Sequence, residues 1–288
     1  VFGAAAAAAR ILGLDEDETT HALGIASAQA AGTREMAGTM SKAFIHGRAA
    51  QNGLLAALLA QRGFTAAETS LEGPHGFAHV LAPERNLAVI TAGLGTTYEI
   101  LHNSYKPYAC GVVAHPVIDA CIQLRNEHGL RAEAIDRVAL VVNPRALELT
   151  GIQSPPNGLK SKWSIYHSAA VALVDGAAGE RQYTDARVND PEVRALRERV
   201  IAVADADLKE ITAKVTITLR DGRVLVKHVE AVIGSAENPM SDRDLEDKVR
   251  GLAQGVLPDD RTTALITACW RIAELGDVAD VARAAALT

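Results

Sequence analysis

The chain has 288 residues, 48% of them hydrophobic and 22% charged, with a formal net charge of −6. That length can bury a real core in one large domain or two ordinary ones, and the balance is that of a globular protein. With no strongly basic stretch a nucleic-acid partner is not expected, and no apolar run is long enough to span a bilayer, so no membrane partner is expected either.

Residues 1–100 read as helices. The opening "VFGAAAAAARILGLDEDE" has no initiator Met and no signal-peptide pattern; it reads as the inside of a helix, so an N-terminal truncation is expected. Ala4–Leu14 is a strong helix former, the acidic run Asp15–Glu18 starts the next helix through His21–Ala31, and Lys42–Arg62 is a long helix ended by Gly63. In that helix Gly47, Ala50, Gly53 and Ala57 recur at three- and four-residue spacing, a stripe that lets another backbone approach closely.

The texture changes near "YKPYACGVVAHP". Beyond it come alternating, β-branched stretches at 137–144 and 213–232, the second with an Asp221-Gly222 hairpin signal. Helices are expected at Pro116–Asn126, around Trp163–Asp175 and at Pro191–Val200. After "GSAENPMSD" helices return at Asp242–Gln254 and Asp259–Leu275, with Ser241 and Asp259 as N-caps. The fold class is therefore mainly α with an α+β insert. Residues 1–101 and 237–288 form a helical domain built from both chain ends, and 102–236 form an inserted α+β domain.

Cys110, Cys121 and Cys269 are scattered, without CxxC spacing, and an odd count fits a reducing cytoplasm. The nine histidines show no HExxH and no paired acidic ligand motif, so no metal is expected.

Four stretches carry chemistry. In "MSKAFIHGRAAQNG", Lys42 and His46 lie one helical turn apart and share a face, where a lysine can hold a carboxylate and an imidazole can move protons. The plainer alternative is a lysine at a helix start and a packed or solvent-facing histidine. The glycine-punctuated "SLEGPHGFAHVL", with His75 and His79, is either a rigid turn beside a cleft or an ordinary helix connection. In "NSYKPYACGVVAHPVIDA", Lys106, Tyr108 and His115 lie at the domain junction, a favoured place for ligand sites. Pro116 can begin a helix there; its positive end would hold an anion and disfavour protonated His115. Linker residues and a helix cap are the alternative. In "KSKWSIYHSAAVALVDG", Tyr166 and His167 point about 100° apart on a helix, so one can face a site while the other packs.

Taken together, "GTMSKAFIHGRAAQNGLLAALLAQRGFT", "LEGPHGF", "YKPYACGVVAHPVIDA", "KWSIYHSAAVALVDG" and "ENPMSDRDLEDKVRGLA" resemble the MmgE/PrpD family, in order and over essentially the whole chain. The resemblance implies a helical domain from both chain ends carrying an α+β lid. It also implies a homodimer that acts without metal or organic cofactor on a small di- or tricarboxylate substrate. The implied chemistry is proton removal next to a carboxylate, followed by loss of water, loss of carbon dioxide or reprotonation. Lys42 matches the family's active-site lysine, and Lys106 with the following Pro107-Tyr108 matches the start of the lid. The family's histidine three residues after the first lysine is Ile45 here, with His46 next. The catalytic histidine that some members carry five residues after the second lysine is Gly111, which leaves His115 as the substitute. A lid tyrosine aligns with His167, beside Tyr166. The expectation is a cofactor-free lyase or isomerase, with dehydration foremost. The alternatives are an inactive, truncated family member acting as a binding or interaction protein, and an epimerase of an amino-dicarboxylate.

Overall fold

The computed structural model describes residues 1–286. It is mainly α with an α+β portion, and it divides into two compact units, Val1–Tyr98 and the stretch from Glu99 onward.

The first unit is built on three helices: α1 (Phe2–Leu12), α2 (Glu16–Ser27) and α3 (Met40–Gln61), followed by short α4 (Phe77–Leu81) and α5 (Ala88–Thr91). The alanines of α1 favour helix, and Gly13 at φ 71° stops it, its N–H turning back onto Ala9 and Arg10. Asp15 and Glu18 then cap α2 reciprocally: Asp15 Oδ1 accepts from Glu18 N at 2.9 Å, and Glu18 Oε2 from Asp15 N at 3.1 Å. Alanines 5, 9, 22, 26, 56 and 57 form most of the core. At Gly53 a side chain has no room, because a Cβ would lie 2.5 Å from Ala4 Cβ and 2.7 Å from Ala5 N.

The stripe expected on α3 is half right. Gly53 and Ala57 are buried with Ala56 and Ala60, but Gly47 and Ala50 are exposed. With 22 residues against 11, α3 outruns α1, so close packing is confined to its second half.

The second unit holds a four-stranded mixed sheet of β1 (Ile135–Val142), β2 (Val200–Ala204), β3 (Ala213–Leu219) and β4 (Val224–Val229), in the order β2-β1-β3-β4. β2 runs parallel to β1, while β3 is antiparallel to both β1 and β4. The hairpin expected at Asp221-Gly222 is present. Leu219 N–H donates to Arg223 O at 2.8 Å, Asp221 accepts from Arg223 N, and Gly222 takes φ 86°. One sheet face is covered by α6 (His115–His128), which packs beside α9 (Ile165–Asp175).

Between β1 and β2 lie α7 (Pro144–Thr150), α8 (Gly158–Ser161), α9, α10 (Asp185–Asn189) and α11 (Pro191–Arg197). The helix expected over 191–200 ends at Arg197, and "VIAVA" becomes β2. Its β-branched residues pair with β1 rather than extend the helix. The chain ends in α12 (Asp242–Ala253), α13 (Asp259–Trp270) and α14 (Ala279–Ala285). Ser241 caps α12 as expected, reciprocally with Asp244. Asp259, however, is the first helical residue of α13, and Pro258 holds the cap position, its carbonyl accepting from Thr262 N. No helix among the described residues is long and apolar enough to cross a membrane.

Candidate active site

The segment 105–119 gathers most of the chemistry of the second unit. Its entry is fixed by Gly234, whose carbonyl accepts from Tyr105 N at 2.9 Å. Gly234 has φ +89°, and a Cβ there would lie 2.0 Å from Tyr105 O. Lys106, next along, is exposed and donates from Nζ to the Cys110 carbonyl at 3.1 Å.

Tyr108 turns inward, and its hydroxyl donates to Asp119 Oδ1. The other oxygen of Asp119 accepts from Ile233 N at 2.9 Å. One carboxylate thus ties the segment, α6 and the 231–238 loop together. Burial first, then the Asp119 charge, pushes the Tyr108 phenol up; burial likewise raises Asp119, against its two hydrogen bonds.

His115 is the first residue of α6, with Pro116 in the first turn. It is 1% exposed and sits edge-on to Tyr108, ring centroids 5.3 Å apart. Its Nε2 is buried and has no partner among the described residues. Burial, then the charge of Lys106, with a lesser push from Lys248, pulls the imidazole down from 6.5 to about 4. The helix start is where the sequence places it, but desolvation is the larger cause of its neutrality.

Tyr166 and His167 are both buried in the core of this unit. His167 Nε2 donates to Gln182 O at 2.8 Å, which fixes the tautomer and leaves Nδ1 unpartnered among the described residues. Burial is again the main reason its pKa falls from 6.5 to about 4. Its ring meets Tyr183 edge-on at 5.6 Å, and the Tyr183 hydroxyl lies 3.1 Å from Ser168 Oγ. Burial raises the Cys110 thiol, and Tyr183, Ser168, Lys106 and Lys162 pull it the other way, so both groups of residues act on Cys110. In the first unit, Lys42 and His46 are exposed residues in the N-terminal half of α3. The structure thus brings together Lys106, Tyr108 and His115, with His167 joined through Cys110. Sequence reasoning missed Asp119, Cys110, Ser168 and Tyr183. Asp119 alone carried a signal, as a carboxylate four residues after His115 on an otherwise apolar helix face.

Residues 1–89 match the model of the MmgE/PrpD N-terminal domain, and residues 108–272 that of the MmgE/PrpD C-terminal domain. The chain belongs to the MmgE/PrpD family. Among curated proteins it is similar to the cis-aconitate decarboxylase of Mus musculus, 27% identical over 98% of this chain and 60% of the relative. The Homo sapiens enzyme of that name is 26% identical over 96% of this chain and 59% of the relative. The Aspergillus terreus one is 30% identical over 91% of this chain and 58% of the relative. The chain therefore spans about 60% of the length of these relatives.

Proposed function

We propose that the chain is a cofactor-free lyase that removes a proton beside a carboxylate of a small di- or tricarboxylate, with loss of water as the expected outcome. The observation that carries this reading is the placing of Lys106, whose Nζ donates to the Cys110 carbonyl, close enough for its charge to act on the buried His115. An exposed ammonium just ahead of the matched C-terminal domain stands near a buried, neutral imidazole inside it, whose Nε2 has no partner among the described residues. Lys106 neutralises a substrate carboxylate and the enolate-like charge that develops. Lys42, in the first unit, is the lysine that the resemblance assigns to carboxylate binding. His115 is the proton acceptor, reached directly or through one water. His46, Tyr166 and His167 take supporting places.

A second reading is decarboxylation, favoured by the activity named for the mouse, human and A. terreus relatives. The same cations would then stabilise the carbanion left as carbon dioxide departs. Thermal-shift screening with cis-aconitate, methylcitrate, citrate and malate, followed by NMR of the products, separates water loss from carbon dioxide loss. Failure of all four acids to bind or turn over would sink both readings.

Lys42→Ala or Lys106→Ala should each remove a charge-assisted contact of about 1.5–3 kcal/mol, roughly ten- to hundredfold in carboxylate affinity. Both residues are exposed, so the unfolding midpoint should barely move. We also propose a homodimer, so light scattering should give twice the chain mass of 30.3 kDa. A monomer mass at micromolar concentration would count against it.

A further inference from the structure

The first unit contains a pocket of about 870 Å³ between the start of α1, residues 28–32 and residues 44–52 of α3. Phe2, Phe44, Ile45 and Phe77 supply apolar walls, with Phe2 and Phe77 edge-to-face at 4.9 Å. Three polar residues line it: Gln29, whose Nε2 donates to Ile25 O at 3.3 Å, and Arg48 and Asn52, one helical turn apart on the same side of α3.

Asn52 is only 8% exposed. Its Nδ2 donates to Gln29 O at 3.2 Å, but its buried Oδ1 has no hydrogen-bond partner among the described residues. A buried carbonyl without a donor is costly and rare, so the Asn52 side chain, beside the pocket, is short of one N–H or O–H donor. Arg48 is exposed, with Nη1 bound to Gln51 Oε1 at 2.8 Å. A guanidinium carries five donors in a planar fork, which leaves it able to take an anion.

We propose that this pocket binds a small carboxylic acid with an aromatic or branched apolar body and a hydroxyl or N–H donor within a few bonds of the carboxylate. The carboxylate lies on Arg48, the donor completes Asn52 Oδ1, and the body fills the space between the phenylalanines. A polycarboxylate without an apolar body would leave those rings wet, so this ligand class differs from the substrate class above. The inference uses neither Lys106 nor His115 and stands or falls apart from the lyase reading.

Calorimetric titration of the intact chain with phenyllactate, phenylpropanoate and citrate tests it. Phenyllactate should bind saturably, and Arg48→Ala should weaken it about ten- to hundredfold. Phenylpropanoate, which lacks the hydroxyl, should bind the parent about tenfold more weakly. Asn52→Leu should abolish that difference between the two acids. If Asn52→Leu does not fold, the comparison of the two acids on the parent carries the same information. Absence of saturable phenyllactate binding, affinity unmoved by Arg48→Ala, or citrate bound as tightly as phenyllactate overturns the proposal.

Discussion

Lowering the pH from 7 to 4 should destabilise the second unit steeply, because it buries two imidazoles that the unfolded chain would protonate. His115 and His167 each fall from 6.5 to about 4 on folding, which corresponds to about 3 kcal/mol per ring. The folded value lies below the unfolded one, so the native state binds fewer protons through this window. Stability is present above 6.5 and is lost as the pH falls toward 4. Asp119 acts with the opposite sign. Burial holds it above the usual carboxylate range, so it favours the folded state as it protonates and offsets part of the loss. Urea midpoints between pH 7 and 4 should therefore slope by more than one proton but fewer than two where Asp119 titrates. His115→Gln or His167→Gln should each remove about one proton from that slope, whatever the variant does to absolute stability. A flat midpoint across the window would show that neither ring is held neutral by burial.

Gly234→Ala should be among the most damaging single changes in the second unit, costing about 3 kcal/mol or more. Alanine must adopt φ +89° and place its Cβ 2.0 Å from a backbone oxygen, which no side-chain rotation can relieve. Gly222 is the control. It has a similar φ of +86° but nothing within 4 Å, so Gly222→Ala should cost only about 1 kcal/mol. The larger effect has a functional side. Gly234 positions Tyr105, and Lys106 follows it directly, so any relief of the clash moves the cation that the proposed chemistry uses. Gly234→Ala should therefore lose carboxylate affinity as well as thermal stability, and Gly222→Ala should not. Equal melting shifts for the two variants would mean that the close approach to Tyr105 is not a real constraint.

What the sequence disclosed follows from the range of the forces involved. Local signals were legible: the Asp221-Gly222 turn needs a residue tolerant of positive φ, and Ser241 announces a helix start through its own hydroxyl. The strand at 200–204 was not, because the turn before "VIAVA" is made by Glu198 and Arg199 with no glycine or proline to mark it, and its pairing with β1 comes from far along the chain. The candidate site divides the same way. Lys106 and His115 stood out as unusual residue types at a change of texture. The roles of Cys110, Ser168 and Tyr183 depend on a meeting across long stretches of chain, which no spacing encodes. Gly47 and Ala50 show the converse error, since small residues permit close packing but do not summon a partner.

The sheet order also sets a sequence of events in time. β3 and β4 are neighbours joined by a tight turn, so they can pair as soon as they are released from solvent disorder. β1 must wait. It meets β2 in parallel across the stretch 143–199 and β3 in antiparallel across the longer stretch 143–212, and closing either is unfavourable until the helices between have collapsed onto the sheet. The slow step expected in assembling this unit is therefore the docking of its interior strand β1 against a hairpin already formed.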